Sequence, residues 1–140
     1  MTGYSGTPLS KKLGIKPTSK ILLINAPKDY HQWLTENSNE EFHWEKQIVK
    51  KNETPDIIHL FVKDKKEFET AMKNIYKHLL ANRNVCIWIS WYKKAAKVPT
   101  DLSEDIIRNY ALANELVDIK VCSVSGEWSG LKLVIPMKKR

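Results

Sequence analysis

The stretch that decides the fold is Val85-Cys86-Ile87-Trp88-Ile89-Ser90-Trp91, seven residues without a formal charge. β-branched and aromatic side chains dominate it, the composition of a strand covered on both faces. Polar and periodic segments flank it, so the rest of the chain reads as layers packed on this strand. Working outward, Lys20 to Ala26 carries Ile21-Leu22-Leu23-Ile24, and Asp56 to Val62 is again almost wholly apolar. Both read as further buried strands. Asp64-Lys65-Lys66-Glu67 has the spacing of a capping box, and Phe68, Ala71, Met72, Ile75 and Leu79 follow at intervals of three and four. That period puts them on one face of an amphipathic helix, which Asn82 or Asn84 ends.

The remaining segments fit around this centre. Asp101-Leu102-Ser103-Glu104 offers a second capping box, with Leu102, Ile106, Tyr110 and Ala113 as the inner face of its helix. Asp118 to Val124 and Leu131 to Pro136 read as strands joined in a hairpin by the loop Ser125 to Gly130. Upstream, Thr7 can cap a short helix with Pro8 at its first position, Leu9 and Leu13 on one side, and Gly14 as its stop. Asp29 can cap a helix to about Glu36 whose apolar face holds Tyr30, Trp33 and Leu34. Phe42, Trp44 and Ile48 alternate with His43, Glu45 and Gln47. That period of two predicts a half-exposed strand near a sheet edge. Strands alternating with helices predict a three-layer α/β domain: a mostly parallel sheet, helices on both faces, and a C-terminal antiparallel hairpin strand. Residues 1–140 read as one such domain, with 1–19 an N-terminal segment containing the short helix and 138–140 a basic tail.

Length and composition narrow the function classes. The chain has 140 residues, 42% hydrophobic and 28% charged, enough for a core that needs no disulfide or metal staple. Cys86 and Cys122 both sit in apolar runs, as buried small hydrophobes in a reducing cytosol do. His31, His43, His59 and His78 are scattered, and no Cys or His pair has ligand spacing, so no metal is expected. No apolar run reaches the roughly 18–20 residues of a membrane span, and Gly3 to Lys12 lacks the apolar core of a signal peptide. The expected location is the cytoplasm. The formal charge of +7 admits nucleic acid as a partner. Yet the lysines are spread along the chain, and only Lys138-Lys139-Arg140 is a purely basic cluster. A solvated surface accounts for them.

Two resemblances add to this reading. The element order is similar to the second half of the Rossmann-like methyltransferase fold, and Leu13-Gly14-Ile15-Lys16-Pro17-Thr18-Ser19-Lys20-Ile21-Leu22-Leu23 looks like the entry to the first strand of S-adenosylmethionine-dependent methyltransferases. In those enzymes the strand leads to an acidic residue and a Gly-x-Gly loop that approaches the cofactor. Here it reads Leu23-Ile24-Asn25-Ala26-Pro27. No glycine is present, and Pro27 lacks an N–H. The resemblance therefore implies the fold without the cofactor loop, and no bound S-adenosylmethionine is expected. The whole chain more closely resembles domain-of-unknown-function family 3052, small bacterial proteins. The matching stretches are Gly3 to Leu9, Lys11 to Lys16, Asn25-Ala26-Pro27, Ile58 to Phe61, Val98 to Leu102 and Trp128 to Val134. That likeness implies a single-domain architecture and no activity.

Ligands of open α/β sheets sit beyond the carboxyl ends of the strands. The rim expected there comprises Asn25, Trp91, Lys93, Lys94, Thr100 and Asp101. It could hold a small anionic ligand, with the lysines as charge and Trp91 as a stacking wall. Against this stands the plainer reading of a core tryptophan followed by a solvated loop. Tyr4 and Trp128 are secondary candidates; Trp128 reads better as a hairpin anchor. No catalytic residue is identified. Ser90 has no Gly-x-Ser-x-Gly elbow, and His59, among Ile57, Ile58, Leu60 and Phe61, reads as a hydrogen-bonded buried histidine. The ranking is a non-catalytic binding or regulatory module, then a degenerate methyltransferase-like enzyme acting on a small molecule, then a nucleic-acid binder.

Overall fold

The computed structural model describes residues 7–38 and 41–140. Its elements in order are α1 (Leu9–Leu13), β1 (Ile21–Ile24), α2 (Tyr30–Thr35), α3 (Trp44–Gln47), β2 (Ile57–Phe61), α4 (Lys65–Ala81), β3 (Cys86–Tyr92), α5 (Glu104–Ala113), β4 (Val117–Ser123) and β5 (Trp128–Val134). The five strands form one sheet in the order β1-β2-β3-β5-β4. β1, β2 and β3 are parallel, while β5 runs antiparallel to both β3 and β4. The architecture is the expected mixed sheet with a C-terminal antiparallel hairpin.

Strand β3 lies at the middle, and its alternation sorts the two layers. Val85, Ile87, Ile89 and Trp91 join the core under α4 and α5, together with Phe68, Met72, Ile75, Leu79, Ile107 and Ala111. Trp88 joins the opposite core with Leu9 and Leu13 of α1 and Tyr30 and Leu34 of α2. Trp88 is fully buried and its indole N–H donates to the Leu13 carbonyl at 3.0 Å, so burial leaves no polar group unpaired. Gly130 makes room for that ring. A Cβ there would lie 2.9 Å from Val124 Cγ2 and 3.2 Å from Trp88 Cε3.

The connections explain why helices occupy both faces. After β1 the chain crosses the Trp88 face through α2 and reaches Ile48, which bridges Ile21 in parallel. The Ile21 carbonyl accepts from Val49 N–H, whereas the preceding Lys20 carbonyl accepts from Asp56 and Ile57. Successive carbonyls of a strand point to opposite sides, so Ile48 lies on the outer edge of β1 and β2 on the inner. The first crossover moves outward and the second, through α4, moves inward. Two right-handed crossovers in opposite directions must use opposite faces. β1 thus marks where the winding reverses.

Local chemistry sets the element ends. Asp64 caps α4 by accepting from Glu67 N–H at 2.8 Å, as the spacing predicts, while Glu67 Oε1 accepts from Lys63 N–H at 3.0 Å, one residue before the N-cap amide of a capping box. Gly14 ends α1 with φ +75°. Pro8, expected at the first helical position, occupies the N-cap of α1, and the helix begins at Leu9.

Three expectations are corrected. The segment around Trp44 is a short helix, not a strand. Phe42 and Trp44 stack at 4.4 Å, and buried Gln47 donates to the carbonyls of Lys16 and Ser19 while accepting from His43 N–H. Those side-chain bonds satisfy backbone that a strand partner would have taken; only Ile48 keeps the edge position. The N-cap of α5 is Ser103, accepting from Ile106 N–H, because Asp101 is engaged elsewhere. β5 begins at Trp128, not Leu131, since Trp128 pairs with Tyr92 and the hairpin loop is correspondingly shorter.

Candidate functional site

The rim residues expected at the carboxyl ends of the strands separate into distinct settings. Asn25 ends β1 in the left-handed region at φ +58°, and its Nδ2 donates to the Phe61 carbonyl of β2 at 3.3 Å. That amide bridges the two strand ends at the reversal of winding. Trp91 is buried in the core under α4 and α5. Lys93 Nζ donates to Ser123 Oγ at 2.6 Å, tying β3 to β4; burial and Lys12 push its pKa below the ordinary lysine value. Lys94 is exposed and begins a single 3-10 turn.

Thr100 and Asp101 hold the long loop after β3 against the start of α4. Thr100 Oγ1 donates to the Lys63 carbonyl at 2.6 Å, and Asp101 Oδ1 accepts from Lys65 N–H at 2.7 Å. Asp101, Asp64 and Glu67 accept from the amides of Lys65, Glu67 and Lys63 and surround that helix end with carboxylates. Those carboxylates themselves complement the dipole at that helix end. Trp128 is buried, stacking on Tyr92 at 4.1 Å and meeting Phe61 edge-on at 5.0 Å, as a hairpin anchor does. Tyr4 lies outside the described residues.

The structure brings together three residues that sequence spacing kept apart. Tyr30 Oη lies 2.7 Å from His59 Nδ1, and His59 Nε2 lies 2.7 Å from Ser90 Oγ. His59 and Ser90 stand on the same face of adjacent strands, a proximity created by the β2–β3 register. A serine, an imidazole and an orienting hydroxyl have the composition of a nucleophilic site. Burial withholds that chemistry: His59 and Ser90 are 0% exposed and Tyr30 is 1%. Burial also lowers the His59 pKa to about 3 and raises that of Tyr30, so the ring and the phenol stay neutral. The array is a satisfied core network. Burial likewise pushes the thiols of Cys86 and Cys122 above their ordinary values, against thiolate chemistry. Among the described residues no three His, Cys, Asp or Glu side chains gather as a metal site requires. No helix there is long and apolar enough to cross a membrane.

A groove of about 650 Å³ lies open between β1 and α4. Leu22, Ile24, Ala71 and Ile75 form its apolar floor. Because α4 runs from the carboxyl end of β2 back to the amino end of β3, the groove has two ends. Asn25, Asp64, Lys66 and Glu67 line one; Lys51, Asn74, Lys77 and His78 line the other. Its size and apolar floor with a few polar groups are those of small-molecule sites. Of the expected rim, Asn25 alone lines it. The residues on α4 escaped sequence reading because their spacing is that of an ordinary solvated helix face. The missing signal was the outward first crossover, which leaves this side of β1 with α4 on one flank only.

No family model matches the chain, and no curated protein matches it. Solved structures do. A protein of the NADB-Rossmann superfamily from Streptococcus agalactiae aligns over 96% of this chain and 70% of its own, at 11% identity and TM-score 0.51. An uncharacterized protein from Listeria monocytogenes serotype 4b aligns over 98% and 69%, at 8% identity and TM-score 0.57. A candidate tRNA (m1A22) methyltransferase from Streptococcus pneumoniae, solved with S-adenosyl-L-methionine, aligns over 96% and 73%, at 7% identity and TM-score 0.51. At such identities the likeness is one of fold: the chain has the backbone of Rossmann-like, methyltransferase-fold proteins.

Proposed function

We propose that the protein is a non-catalytic binding or regulatory module, a methyltransferase-like scaffold that uses the groove beside β1 instead of a cofactor loop. One observation carries this reading. At the reversal of winding, where an open sheet of this kind takes a nucleotide-like cofactor, the Asn25 amide bridges β1 to β2 and Pro27 follows two residues later. Glycine backbone, which would let a cofactor approach, is absent there. The reactive-looking Tyr30–His59–Ser90 array has no access to solvent. The likeness of Val98 to Leu102 and Trp128 to Val134 to domain-of-unknown-function family 3052 belongs to this reading and brings no activity with it.

The competing reading is a degenerate S-adenosylmethionine-dependent enzyme. The cofactor-bound neighbour from Streptococcus pneumoniae favours it. Calorimetric titration with S-adenosylmethionine separates the two. The binding-module reading expects no saturable heat at millimolar cofactor. A micromolar dissociation constant, together with methyl transfer to any acceptor, overturns it.

A further inference from the structure

We infer that the groove between β1 and α4 binds an amphiphilic anion: a compact apolar body carrying one carboxylate, sulfonate or phosphate. This rests on the binding-module reading and names the chemistry of its ligand. The groove follows α4 from Asp64 to His78, roughly 21 Å at the 1.5 Å rise of a helix. Its charge is divided along that length. Asp64 and Glu67 lie with a single lysine, Lys66, at the Asn25 end, where both carboxylates already accept from backbone N–H groups. Lys51 and Lys77 flank the other end, and neither forms an ion pair. Lysine enters one ion pair among the described residues, between Lys139 and Glu115. The cationic end therefore has no counter-charge of its own.

A second, independent feature marks the same end. His78 lines the groove and is only 5% exposed, yet its ring has no hydrogen-bond partner among the described residues. Its ring nitrogens are not among the buried polar atoms left unpaired, so they are open to solvent and available to a ligand, unlike those of His59, which are bonded on both sides. Desolvation and Lys77 lower the His78 pKa, so a neutral ring offers one N–H donor. Asn74 adds an amide from the preceding turn of α4. An anionic head placed here meets two ammonium groups, an imidazole and an amide. Its apolar body then lies along Ala71 and Ile75 toward Ile24. At the far end two carboxylates outweigh Lys66 and disfavour the reversed orientation.

The test uses the full chain with 8-anilinonaphthalene-1-sulfonate as an anionic probe and N-phenyl-1-naphthylamine as its uncharged counterpart. The sulfonate should bind saturably at one site. Its amide shift changes should map to β1 and to α4 from Thr70 to His78. Lys51→Gln with Lys77→Gln, both at exposed positions, should leave the melting temperature unchanged and weaken the sulfonate about five- to tenfold. The uncharged probe should be unaffected by the double variant. The inference is overturned by any of three results: no saturable sulfonate binding, shifts that map elsewhere, or equal affinity in the double variant. In the last case groove binding survives without anion selectivity. S-adenosylmethionine binding would defeat the binding-module reading by a separate measurement.

Discussion

At the scale of single residues, the most constrained group is His59. It is neutral, fully buried and bonded on both ring nitrogens. Its folded pKa of about 3 lies below the ordinary 6.5. The unfolded chain therefore takes up a proton below about pH 6.5 that the folded chain refuses until about pH 3. Stability is full above that window and falls through it by about 1.4 kcal/mol per pH unit at most. Urea unfolding at pH 6.5 and 4.5 should differ by about 2–3 kcal/mol from this group, with His78, shifted the same way, adding to the slope. In His59→Gln the slope should be shallower; an unchanged slope would refute the assignment. Ser90→Ala removes one partner of the ring and should cost about 1–3 kcal/mol. Gly130→Ala places a methyl against Val124 and Trp88 and should cost about 1–3 kcal/mol through overpacking.

Elements were legible where one local pattern governs them. α4 combines the spacing of a capping box with Phe68, Met72, Ile75 and Leu79 at helical intervals, and all four are buried. β2 and β3 announce themselves as apolar runs broken only by His59 and Ser90. Two kinds of information were hidden. Gln47 looked like the polar partner in an alternating strand, whereas its amide reaches residues about thirty positions away; no local period encodes that bond. The loop after β3 looked like part of a ligand rim, whereas Thr100 and Asp101 serve the start of α4. Short loop residues with hydroxyl and carboxylate groups read the same way in both roles. Of the candidate site, Asn25 at a strand end was visible; Lys51, Lys77 and His78 were not, since only the tertiary fold brings them to one groove. The hold of Asp101 on the start of α4 can be tested. Asp101→Ala should destabilise by about 1 kcal/mol, as loss of a helix cap does, while Lys94→Ala stays within about 0.5 kcal/mol. Equal effects in chemical denaturation would show that the loop is not held through α4.

At the scale of the whole molecule, the sheet separates two cores, and every strand of the parallel part contributes to both. β1 sends Leu22 to one and Ile21 to the other; β2 divides Ile58 and Leu60 from Ile57 and Phe61; β3 divides Ile87 and Ile89 from Trp88. Neither core can persist once the sheet opens, because each uses alternate residues of the same backbone. The free edge is consistent with one closed unit. β4 carries a register shift between Asp118 and Lys120 and a lysine on its exposed rim, which discourage pairing with another strand. We therefore expect a single cooperative transition across residues 1–140. Tryptophan fluorescence in a Trp91→Phe background, whose remaining tryptophans all lie in or against the Trp88 core, and far-UV circular dichroism, sensitive to α4 over the other, should give superimposable urea curves. Conservative deletions probe the same coupling. Ile21→Val and Ile75→Val lie in opposite cores and should each cost about 0.5–1.5 kcal/mol. Their effects should add within about 0.5 kcal/mol in the double variant, while shifting both curves equally. Displacement of one curve alone by Ile75→Val would mean that the α4 layer unfolds apart from the sheet, and that the two cores are separable after all.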